Sequence, residues 1–73
     1  MAEIKPPIGG KVVKINVTAG AQVAENQSLL VFEAMKMEMD LPSPVAGTVK
    51  EIKTTEGQQV DTETVLMVIE PGA

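Results

Sequence analysis

Apolar residues along this chain come in short bursts broken by glycine, proline and charge, never in a sustained helical stripe. Lys11-Val12-Val13-Lys14-Ile15-Asn16-Val17 and Thr48-Val49-Lys50-Glu51-Ile52-Lys53-Thr54 are rich in β-branched residues and bounded by glycines, which predicts strands. Leu29 to Phe32 and Val65 to Ile69 are continuous apolar runs of the kind buried strands show. Gly20 and Gly57 fit tight turns before short extended segments at Val23 and Val60. No window holds an apolar stripe at the helical spacing for about ten residues, so every candidate helix fails.

The pattern is written twice. Shifting the sequence by 37 positions (44 − 7) lays Pro7 on Pro44, Gly10 on Gly47, Val12 on Val49 and Ile15 on Ile52. The match continues through Thr18/Thr55, Gly20/Gly57, Gln22/Gln59 and Val23/Val60 to Leu29/Leu66, Val31/Val68 and Glu33/Glu70, without a gap. Residues 1–73 therefore read as one small domain, with a repeat over 3–33 and 40–70 joined by 34–39. Two copies are too few for a solenoid, which favours a closed pseudo-two-fold unit. The shared apolar positions 12/49 and 15/52 lie three apart, out of step with a strand. A bulge in each strand restores the facing and suits the β-branched content better than a helical turn does. The expectation is all-β, about four short strands per half, closed as a flattened barrel or two-sheet sandwich.

Only Ala34 to Met39 lack a counterpart, and they read as a hairpin. A two-residue turn at Met35-Lys36 pairs Ala34 with Met37, Glu33 with Glu38, Phe32 with Met39 and Leu30 with Leu41. That register gathers Leu30, Phe32, Met39 and Leu41 on one face and Glu33, Glu38 and Asp40 on the other. The turn breaks local rules, because such turns prefer Asn-Gly and positive φ costs a non-glycine residue about 1 kcal/mol. Two-fold symmetry places this link at one pole and the chain ends at the other. Lys36 would project from the tip.

Composition narrows the functions. A net charge of −4 and one aromatic residue, Phe32, argue against nucleic-acid binding. With neither histidine nor cysteine, no Ser-His-Asp or Cys-His pair, His/Cys zinc site or disulfide can form, and no acidic run resembles a calcium loop. No catalytic and no metal residues are expected. No apolar run approaches the roughly 20 residues of a membrane span, and the N-terminus lacks a signal-peptide pattern, so a cytoplasmic protein without membrane insertion is expected. Taken singly, a tip lysine is a solvated charge and a methionine beside a turn is core filler. A lysine straddled by two methionines at the pole of a domain without catalytic residues suggests a modification site.

Glu33-Ala34-Met35-Lys36-Met37-Glu38 resembles the attachment signature of biotin carboxyl carrier domains. Pro7-Ile8-Gly9-Gly10, Pro44-Val45-Ala46-Gly47 and the turns at Gly20 and Gly57 resemble that family as well, so the likeness covers nearly the whole chain. The resemblance implies a flattened barrel of two four-stranded antiparallel sheets, with biotin joined to Lys36 by a biotin protein ligase. Met35, Met37, Ala34 and Glu33 would be recognised by the ligase. Such a domain is a non-catalytic, monomeric carrier that takes a carboxyl group from a biotin carboxylase to a carboxyltransferase or decarboxylase. The gap-free repeat leaves no room for the "thumb" insertion of some acetyl-CoA carboxylase carriers. The chain is thus more similar to the carriers of transcarboxylases, pyruvate or propionyl-CoA carboxylases and biotin-dependent decarboxylases. Lipoyl domains of 2-oxo acid dehydrogenase-type complexes are the alternative, sharing fold and glutamate but setting their lysine in a D-K-A run.

Overall fold

The structure, a computed structural model, describes residues 1–72. Eight strands follow one another: β1 (Ala2–Ile4), β2 (Gly10–Ile15), β3 (Gln22–Val23), β4 (Ser28–Ala34), β5 (Met37–Pro42), β6 (Gly47–Ile52), β7 (Gln59–Val60) and β8 (Met67–Pro71). They form two four-stranded antiparallel sheets, in the orders β1-β8-β6-β3 and β5-β4-β2-β7. No helix among the described residues is long and apolar enough to cross a membrane.

Exchanging β1 with β5, β2 with β6, β3 with β7 and β4 with β8 turns one sheet order into the other. Each sheet therefore draws strands from both halves of the chain, and neither half can complete a sheet alone. The contacts that lock the halves are mirrored too. Gly20 N donates to Val49 O and Gly57 N to Val12 O, both at 2.7 Å, while Val49 N donates to Ala21 O and Val12 N to Gln58 O, both at 2.9 Å. The link from β2 to β3 (16–21) is no longer than that from β6 to β7 (53–58), so no thumb is inserted there.

The out-of-step spacing is resolved by bulges. The β2–β4 register passes from Val12↔Phe32 to Lys14↔Val31, and the β6–β8 register from Val49↔Ile69 to Glu51↔Val68. The extra residues are Val13 and Lys50, and each lets two apolar positions three apart face the same interior. Strand limits differ from the sequence reading. Val17 and Thr54, expected within strands, lie beyond β2 and β6 where the backbone leaves for the glycine turns, yet both are buried. Val17 fills its place with methyl groups. Thr54 needs a partner and donates its hydroxyl to Gln58 Oε1 at 2.9 Å. Val65 and Leu66 precede β8, and Leu66 N donates to Ile4 O at 2.7 Å.

Gly10 and Gly47, expected to bound strands, are the first residues of β2 and β6. A Cβ on Gly10 would overlap the Glu33 carbonyl oxygen and meet the Ala34 Cβ at 3.2 Å. One on Gly47 would overlap the Glu70 carbonyl oxygen. Both glycines thus permit a close backbone approach at matching places in the two sheets. Gly10→Ala and Gly47→Ala should each cost about 1–3 kcal/mol by overpacking. Only Gly10→Ala should move the amide resonances of Ala34 to Met37, which an NMR comparison of the two variants checks.

Phe32, Leu29, Leu30, Leu66, Met67, Ile69, Val12 and Val49 are the largest fully buried apolar side chains and fill the space between the sheets. The domain is elongated, 35 × 18 × 17 Å. At the base of the β4–β5 hairpin Ser28 pairs with Pro42, and Ser43 is bonded to Asn26 and Gln27. The chain then enters β6, whose Gly47 pairs with Pro71, while Gly72 N donates to Ala46 O at 3.0 Å. The C-terminal strand thus ends beside the hairpin's base. The tip lies about 20 Å away, six residues along β4 at the strand rise.

Candidate functional site

The β4–β5 ladder positions the tip. Its register runs Leu30↔Leu41, Val31↔Asp40, Phe32↔Met39, Glu33↔Glu38 and Ala34↔Met37, which leaves Met35 and Lys36 as the turn. Both turn residues have positive φ, 54° and 65°, the signature of a type I′ reversal between two twisted strands. Neither is glycine or asparagine, so the turn carries roughly 1 kcal/mol or more of strain at each position. The hairpin supplies what holds it closed. Leu30 and Phe32 are fully buried, while Met39 and Leu41 pack partly buried against the same core. At the base, Asn16 Nδ2 donates to Ser28 Oγ at 3.1 Å, and Ser28 Oγ to Asp40 Oδ1 at 2.9 Å.

The side chains at the tip sort by exposure. Ala34 is buried, with its methyl group beside Gly10, so it sets the backbone of the tip and offers little to a visiting protein. Met35 is 85% exposed and Met37 65% exposed, and Lys36 between them is exposed as well. The core-filler reading of these methionines therefore fails for Met35 and Met37 and holds for Met39. Glu33 and Glu38 face each other across the hairpin on its outer surface. The one ion pair among the described residues, Lys53 to Glu51 at 3.9 Å, lies elsewhere, and the Lys36 amine has no carboxylate within that range. Asp40, unassigned by the motif, is drawn into the hydrogen bonds at the hairpin base.

Among the described residues there is no pocket and no cluster of three metal-ligating side chains. What the tip presents is a primary amine on a stiff two-residue reversal, flanked by two solvent-exposed thioethers. An acylating enzyme can reach that amine from outside. The requirements of a covalently carried group are met: an accessible amine, no competing ion pair, and a rigid support leading away from the chain's end. Gly10, which lies close against the Glu33 carbonyl, is also part of this support. The signal was present in the Gly10/Gly47 repeat pair, but a glycine at a strand border and one beneath a neighbouring backbone look alike in sequence.

The family model described as "Biotin-requiring enzyme" matches residues 2–69. The chain belongs to this family. Among curated proteins it is 56% identical over 36 residues to the mitochondrial pyruvate carboxylase of Homo sapiens, spanning 49% of this chain and 3% of that protein. It is 40% identical over 38 residues to the methylmalonyl-CoA decarboxylase subunit gamma of Veillonella parvula, spanning 52% of this chain and 30% of that subunit. Among solved structures, a single-chain, multi-domain long-chain acyl-CoA carboxylase superposes with a TM-score of 0.91 at 30% identity, covering 99% of this chain and 7% of that one. The urea carboxylase of Kluyveromyces lactis gives a TM-score of 0.87 at 25% identity, covering 94% of this chain and 6% of that one. The biotin-family chain thus spans a small part of each relative. These carboxylases and the decarboxylase favour the biotin reading over the lipoyl one.

Proposed function

We propose that Lys36 carries biotin in amide linkage and that the chain is a carboxyl carrier without catalytic residues of its own. The observation that supports this most is the tip itself, an exposed lysine on a strained reversal between two exposed methionines in a member of the biotin-requiring family. In attachment, the deprotonated Lys36 amine attacks the acyl carbon of biotinyl-adenylate, an amide bond forms and AMP leaves. An ammonium has no lone pair to offer, so the amine must first give up its proton. Among the described residues no carboxylate lies within ion-pair range of the Lys36 amine, so in this reading a biotin protein ligase supplies the base. Met35, Met37 and Glu33 are the exposed groups such a ligase would recognise.

When bound, biotin supplies a ureido nitrogen that accepts and releases a carboxyl group. The chain's own contribution is mechanical. Residues 3–33 and 40–70 act as one rigid holder, and hairpin 34–39 presents Lys36 away from the tether. Tethering raises its local concentration at a biotin carboxylase and at a carboxyltransferase or decarboxylase, with docking weak enough to release it from each. The proposal includes a monomeric carrier and a cytoplasmic setting, where ATP for the ligase and carboxylase is at hand. The experiment is intact-mass measurement after incubation with biotin ligase, biotin and ATP, repeated with a lipoyl ligase and lipoate. One biotinyl increment is expected in the first and none in the second. The reverse result would establish a lipoyl carrier, and no increment in either would leave only a structural module.

A further inference from the structure

We propose that Met35 and Met37 form a peroxide-responsive modification site whose oxidation to sulfoxide withholds Lys36 from its ligase. The inference rests on the attachment reading above and adds a control on it. The methionines fall into distinct environments. Met67 is fully buried between the sheets, and Met39 is partly buried against the core. Met35 and Met37 stand 85% and 65% exposed at the tip, and Met1, just before β1, is 71% exposed. Thioether oxidation follows access, so the two tip sulfurs are open to oxidant while those supporting the fold are shielded.

In the reaction the thioether sulfur attacks a peroxide oxygen. The O–O bond breaks, an S–O bond forms, the sulfur loses two electrons, and the peroxide is reduced to water. The product is polar and chiral where the methionine was apolar and flexible. At Met67 that change would disrupt the core. At the tip neither side chain belongs to the core, so the barrel survives and the change falls on the surface around Lys36. Both apolar neighbours of the amine then present strong acceptor oxygens, and a complementary apolar surface on the ligase would have to desolvate them. Methionine sulfoxide reductases undo the modification, which makes it a switch and not merely damage.

The test treats the unmodified chain with a limiting series of hydrogen peroxide concentrations, maps sulfoxide by peptide mass spectrometry, and measures ligase-catalysed biotin uptake. Sulfoxide should reach completion at Met35 and Met37 before it is detectable at Met39 or Met67. Uptake should fall about tenfold in kcat/KM, the loss expected when apolar anchors of a contact are made polar. Sulfoxide reductase should restore it. A Met35→Leu, Met37→Leu variant, whatever its starting rate, should change less than about twofold on the same treatment. Early oxidation of Met39 or Met67 would overturn the site, and complete oxidation of Met35 and Met37 with an unchanged rate would overturn the gating. An untreated chain that takes no biotin would instead sink the attachment reading and the gating with it, while the peptide map still decides which sulfurs react.

Discussion

Lys36→Arg is expected to yield a folded chain that a biotin ligase cannot modify. Arginine preserves the length, the charge and the exposed setting, and it meets the same positive φ that lysine meets at this position. Its guanidinium stays protonated and delocalised at any workable pH, so it offers no lone pair to an acyl carbon. The variant's unfolding free energy should match the parent's to within about 0.5 kcal/mol, as for most surface substitutions. Its mass should show no biotinyl increment, and streptavidin should not capture it. The remaining lysines sharpen the test. Lys5, Lys11, Lys14, Lys50 and Lys53 are all exposed, so accessibility alone would let any of them substitute. None of them stands between two exposed methionines on a reversed turn. Continued biotin uptake by the variant would show that the ligase reads exposure and not the tip.

Phe32→Ala should have the largest effect on stability. Phe32 is the chain's one aromatic residue, is 1% exposed, and pairs with Val12 on one neighbouring strand and Met39 on the other. Removing a buried phenylalanine side chain costs about 3–5 kcal/mol, combining lost transfer energy with the cavity left behind. At roughly 0.05–0.15 kcal/mol per residue, the whole 73-residue domain holds about 4–11 kcal/mol. The substitution therefore removes a large share of the total, and a large fall in urea midpoint is expected. Phe32 also sits two residues before Ala34 on the strand that feeds the tip. Biotin uptake by the variant should accordingly decline as temperature rises, in parallel with the unfolded fraction measured by circular dichroism. An unfolding free energy within about 1 kcal/mol of the parent's would show that the two sheets close over the space without it.

Much of the site was legible before the fold was known. The hairpin register follows from the alternation Met37, Met39, Leu41 against Glu38 and Asp40, since slipping one residue would turn every apolar side chain to water. The bulges follow from apolar pairs three apart in a β-branched segment. Other features depend on neighbours remote in sequence. Ala34 stands within the recognition motif, yet its burial is set by β2 passing beside it. The role of Gly10 is set by the Glu33 carbonyl above it. Thr54 is buried like its counterpart Val17, and only the position of Gln58 makes that tolerable.

The sequence by itself determined the all-β class, the unmatched link Ala34 to Met39 and the identity of the lysine within it, because period, repetition and composition are local properties. It also suggested the strained turn, since a two-residue reversal at Met35-Lys36 is compatible with the alternation on either side. Tertiary structure alone decided which of the motif's residues face solvent and which serve the core. Met35, Met37 and Met39 are chemically identical in sequence, but Met35 in the turn and Met37 on the last rung of the ladder face solvent, while Met39 packs partly buried beside Phe32. That difference arises because burial requires an opposing surface, and of the three only Met39 packs against the core.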